Sequence, residues 1–113
     1  MKSLLAVLTA AVLLVSTAPM TASAAPHDLK ITNDTQSTIE FVFISPPSTD
    51  RWGDDWLGSD EVISPGDSRH FSITEGCMED IKVVFYPVSA NKVRTWRNFD
   101  TCQYDLDVQY DSQ

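Results

Sequence analysis

The chain has 113 residues, a length for one domain, and sets 16 Asp and Glu against 8 Lys and Arg, a formal net charge of −8. That balance repels nucleic acid and anionic lipid, so neither is an expected partner. Two cysteines, four glycines and six prolines exclude collagen and a disulfide-dense scaffold.

The first predicted element is a secretory signal over residues 1–24. Lys2 gives a positive start, and an apolar run from Leu4 to Val15 is interrupted only by Thr9. Pro19 breaks it, and Ala22-Ser23-Ala24 supplies the small-x-small pattern for cleavage before Ala25. A run of about a dozen residues falls short of the roughly 20 that span a bilayer. No cysteine follows it closely and no Arg-Arg pair precedes it, which disfavours a lipid anchor and twin-arginine export. The expectation is an extracytoplasmic domain, secreted or periplasmic, over residues 25–113. It has about 89 residues, room for one core, and no membrane insertion after cleavage.

Beyond the signal, periodicity predicts strands. Asp28 to Thr32 is the first, closed by the turn signal Asn33-Asp34-Thr35. Thr38 to Ser45 is apolar on both faces, with Ile39, Phe41 and Phe43 on one and Val42 and Ile44 on the other, and reads as a central strand. Pro46-Pro47 ends it, because proline gives no ladder N–H and biases its predecessor to extended geometry. Val62-Ile63 begins a short third strand. Ser64-Pro65-Gly66-Asp67 matches a type II turn. Ser68 to Thr74, Ile81 to Tyr86, Lys92 to Phe99 and Cys102 to Tyr110 complete the series. No segment sustains helical spacing. Six or seven short strands predict an all-β chain, a small β-sandwich of immunoglobulin-like or related type.

Cys77 and Cys102, an even pair in an exported chain, predict a disulfide. If the 92–99 strand lay between theirs in one sheet, they would stand about 9.6 Å apart, two strand spacings. A disulfide needs Cα atoms within about 7 Å. The last strand is therefore expected to pair elsewhere or cross to the second sheet, or the cysteines sit beyond the strand ends.

Residues 46–61 form a long loop rich in Pro, Ser, Asp, Gly and Trp, the kind that compact domains keep for function. Three readings compete. Trp52 and Leu57 fold back as plugs on the sandwich, with Gly53 and Gly58 supplying positive φ. Alternatively, Asp50, Asp54, Asp55, Asp60 and Glu61 gather around calcium, although their spacing matches no EF-hand. Or Trp52 and Trp56 meet a macromolecular partner.

Asn33 and Thr35, Ser45-Pro46, Trp52-Gly53, Asp55, Leu57-Gly58, Ile63 and Pro65-Gly66 together form a linked pattern. It resembles that of small, largely uncharacterised exported bacterial β-sandwich proteins with a later cysteine pair. The resemblance implies fold and compartment and assigns no activity.

Hydrolytic chemistry finds little. Ser68, His70 and Ser72 share one predicted strand without a nucleophile elbow, and no glycine-rich phosphate loop is present. Lys92, Arg94 and Arg97 form a basic strip expected to pair with Asp105 and Asp107. The sequence-based expectation is a non-catalytic exported binding, inhibitory or structural module, with residues 46–61 as contact loop and no cofactor. A calcium-binding domain using residues 50–61 is the alternative.

Overall fold

The computed structural model describes residues 26–112; the expected signal, residues 1–24, lies outside them. Six strands are present among the described residues: β1 (His27–Asn33), β2 (Ile39–Ser45), β3 (Ser68–Ile73), β4 (Met78–Phe85), β5 (Val93–Asp100) and β6 (Leu106–Val108). They form two three-stranded sheets, ordered β3-β1-β6 and β2-β4-β5, so the all-β expectation holds. No helix among these residues is long and apolar enough to cross a membrane.

Alternation builds the core. β1 turns Leu29, Ile31 and Asn33 inward, β3 adds Phe71 and Ile73, and β6 adds Leu106 and Val108. From the facing sheet come Val42 and Ile44 of β2 with Ile81, Val83 and Phe85 of β4, all buried. Trp96 and Phe99 of β5 pack on its margin.

The chain crosses between sheets where the disulfide requires it. Cys77 and Cys102 are bonded with Cα atoms 5.1 Å apart. β6 runs parallel to β1 in the opposite sheet, with Ile31 beside Leu106 and Asn33 beside Val108. The turn holding Cys102 is fixed by Thr101, whose N–H and hydroxyl both donate to the Cys77 carbonyl, at 2.8 and 2.7 Å.

Four expectations need correction. β2 is an edge strand, and β4 is central. β2 looked central because Phe41 and Phe43 make its outer face apolar, whereas Asp80 and Lys82 disguise the central position of β4. The Val62-Ile63 strand is a single bridge, Ile39 to Ile63. The last strand is short, because Asp100 Oδ1 accepts the N–H groups of Cys102 and Gln103 and curls residues 101–103 into a turn. Finally, the basic strip does not pair with Asp105 and Asp107. Lys92 meets Asp111 at 2.7 Å, Arg94 stacks on Trp96 and Tyr110, and Arg97 meets Asp80 and Asp50.

Candidate functional site: loop 46–61 and the sheet face it borders

The loop divides into two halves with different work. Residues 54–63 seal the outer edge of β2. Trp56 N–H donates to the Val42 carbonyl at 2.7 Å, while Asp55 Oδ1 accepts the N–H of Val42 at 2.9 Å and of Leu57 at 3.0 Å. A carboxylate thus stands in for a strand carbonyl. Ile63 exchanges both backbone bonds with Ile39, at 2.9 and 3.0 Å. An unpaired edge invites association with other strands, and this half of the loop blocks it at those positions. Leu57 enters the core, as its plug reading required.

Asn33 and its neighbours anchor the same device. Asn33 is fully buried, and its Nδ2 donates to the carbonyls of Ser37 and Ile63 at 2.7 and 2.9 Å. Its Oδ1 accepts the N–H and hydroxyl of Thr35. Gly66, at φ +87°, completes the turn in which Asp67 N–H donates to the Ser64 carbonyl.

Residues 46–53 go the other way, over the outer face of the β2-β4-β5 sheet. Pro46-Pro47 turns the chain out, and Ser48 and Asp50 take positive φ, 67° and 53°. Asp80 holds this turn from beneath. Its carboxylate is 1% exposed and accepts from Ser48 N–H, Asn98 N–H and the Arg97 guanidinium at 3.0, 2.9 and 2.9 Å. Arg97 and Asn98 together stand opposite Asp80 in a β-bulge, with Asn98 at φ 54°. Burial pushes the Asp80 pKa up, but the two N–H groups and Arg97 outweigh it and hold the pKa below the ordinary value.

Trp52 does not plug the sandwich end. Lys82 Nζ lies 4.9 Å and Arg97 Cζ 5.1 Å from the Trp52 ring, and Lys82 also lies 5.0 Å from Phe43. Cations over an aromatic face are attracted by its quadrupole. Phe43 stacks with Phe41, centroids 6.3 Å apart. The glycine expectation splits as well. Gly53 has φ +71°, whereas Gly58 is outside the positive-φ region and a Cβ there would meet only the exposed Glu61 side chain.

The five loop acids go to separate places. Asp50 faces Arg97 at 3.2 Å, Asp55 binds backbone, Glu61 pairs with Arg69, and Asp54 and Asp60 are exposed. The Arg69 hydrogen bond, and then the Gly58 backbone, lower the Glu61 pKa. Among the described residues, the one set of three His, Cys, Asp or Glu ligand atoms near enough to share an ion is Cys77, Asp100 and Cys102, whose sulfurs form the disulfide.

The opposite outer face, on β1 and β3, is polar. His70 Nδ1 meets Asp28 Oδ2 at 2.6 Å, Thr32 and Ser68 share a hydroxyl bond at 2.8 Å, and Ser72 stands opposite Asp28. Asp28, Ser68, His70 and Ser72 are all exposed there.

Sequence reasoning found Trp52 and Trp56 but missed Lys82 and Arg97 over the Trp52 ring, the Phe41–Phe43 pair beside them, and Phe71 against Trp56. The available signal was the second apolar face of β2. Compared with protein-family models, curated proteins and solved structures, the chain matches none.

Proposed function

We propose that the protein is an exported, non-catalytic binding module that meets a macromolecular partner through the outer face of the β2-β4-β5 sheet, with residues 46–53 as one wall. The observation that carries this reading is the difference between the two outer faces. One bears Asp28, Lys30, Thr32, Ser68, His70 and Ser72. The other bears the partly exposed rings of Phe41, Phe43 and Trp52, with Lys82 and Arg97 among them. Aromatic rings and arginine are enriched where proteins meet partners. The disulfide and the sequence of residues 1–24 support an extracytoplasmic setting.

The test is capture of exported proteins from the source cell by the immobilised oxidised domain. Ser72→Ala, on the polar face, is expected to capture what the wild type captures, and Trp52→Ala to lose it. Equal capture by both variants would count against this face.

A further inference from the structure

At one end of the sandwich, where the sheets part, lies a cavity of about 170 Å³ lined by Ile44, Pro46, Trp56, Ile73, Thr74, Glu75 and Glu79. Its walls are apolar apart from Thr74 and the two carboxylates. Glu79 is 4% exposed, and its Oε2 has no hydrogen-bond partner among the described residues. A buried acceptor without a partner is costly, and a donor brought into the cavity would relieve that cost. Glu75 adds a second, exposed carboxylate, and Trp56 places an indole on the wall, held edge-on to Phe71 with centroids 6.2 Å apart.

We infer that this cavity binds a primary alkylammonium group, a free small amine or a partner's lysine side chain, with Glu79 and Glu75 nearest the nitrogen and Trp56, Ile44, Ile73 and Pro46 on the alkyl stem. Size argues first. A cavity of about 150 Å³ holds a benzene-sized molecule, while pockets for larger ligands run from about 300 Å³. One side chain or a small amine fits. Chemistry argues second. Calcium takes six to eight oxygens, and the Glu79, Glu75 and Thr74 side chains together carry five. An alkylammonium buries its stem on apolar surface, keeps its charge at a carboxylate and gains from an aromatic face. The inference does not rest on the aromatic outer face, since Trp52 and Lys82 belong to that face and Glu79 and Trp56 to this cavity.

Charge state supplies a readout. Burial above all, then the charges of Glu75 and Asp80, raise Glu79 to about 7, with His27 opposing. Glu79 therefore gains charge as pH passes 7, and affinity for a cation rises with it.

The experiment is a two-dimensional amide NMR titration of the oxidised domain with n-butylammonium, with Nα-acetyl-lysine N-methylamide and with n-butanol. Saturable shifts centred on the Trp56 indole N–H and the Thr74 amide are expected with the ammonium compounds, stronger at pH 8 than at pH 6. Binding by both means that a lysine side chain fits; binding by butylammonium alone identifies a free amine. Glu79→Gln is expected to weaken binding roughly tenfold or more and to remove its pH dependence. Glu75→Gln, at an exposed position, gives a weaker loss and serves if Glu79→Gln does not fold. Equal shifts from n-butanol, no saturable shifts, or affinity unchanged in both variants would overturn the proposal.

Discussion

At the residue scale, two carboxylates do opposite things. Asp55 accepts two backbone N–H groups and closes the edge of β2. Asp55→Ala strands the Val42 N–H, and leaving one such group unsatisfied costs about 1–3 kcal/mol. The expected outcome is a lower urea midpoint with an unchanged slope, and Asp55→Asn, which keeps one acceptor oxygen, loses less. Glu79 works the other way. Its pKa is raised from 4.5 to about 7, so between those values the folded state holds more protons than the unfolded one. Its contribution is fully present below the ordinary carboxyl range and is lost as pH rises through about 7. Asp80 and Asp111 have lowered values, so their contributions are present above the ordinary range and are lost as pH falls through the folded values. For Asp111 the Lys92 hydrogen bond is the largest cause, followed by that of Ser37. Denaturant melts across pH 4 to 9 are therefore expected to show stability declining from pH 5 to pH 8. In Glu79→Gln that decline flattens; an equally steep decline in the variant would refute the assignment to Glu79.

At the scale of elements, the disulfide and the loop plug carry the stability. The Cys77–Cys102 bridge closes 25 residues, for which chain entropy gives about 3.5 kcal/mol. Cys77→Ser with Cys102→Ser is expected to lower stability by about that amount in calorimetry. Leu57 is 4% exposed, and truncation of a buried leucine costs about 2–5 kcal/mol. Leu57→Ala is thus expected to melt well below the wild type. Trp52→Ala removes two cation–ring contacts at a partly exposed site, worth about 0.5–1 kcal/mol each, and keeps its fold. The contrast separates the structural half of the loop from the displayed half. Much of this was legible in the sequence. The expected strands over 28–32 and 68–74 are where β1 and β3 lie. Distance logic on the two cysteines allowed for a last strand in the other sheet, where β6 lies. What stayed hidden was long-range pairing. Asp55 reads as one acid among five until Val42 is beside it, and Asp80 reads as a solvent-facing residue until Ser48, Arg97 and Asn98 close over it. Periodicity reports which side a residue faces and nothing about what meets it there.

At the scale of the molecule, one buried core supports two unlike outer faces. The acids of residues 50–61 are dispersed among an arginine at β3, an arginine at β5, the β2 edge and solvent. Millimolar calcium is accordingly expected to leave the melting midpoint of the oxidised domain where EDTA leaves it. Saturation at about 100 times a dissociation constant adds about 2.7 kcal/mol, a rise of about 10 °C or more for a domain this small. A calcium-specific rise of that size would restore a metal role to these acids.

The central claim is that the aromatic face of the β2-β4-β5 sheet meets the partner. The most direct measurement is site-specific photo-crosslinking in the source cell, with a photoreactive side chain at position 43 on that face and at position 72 on the polar one. A discrete adduct from position 43, absent from position 72 and lost in the Trp52→Ala background, is the predicted result. An adduct from position 72 with none from position 43 would contradict the account.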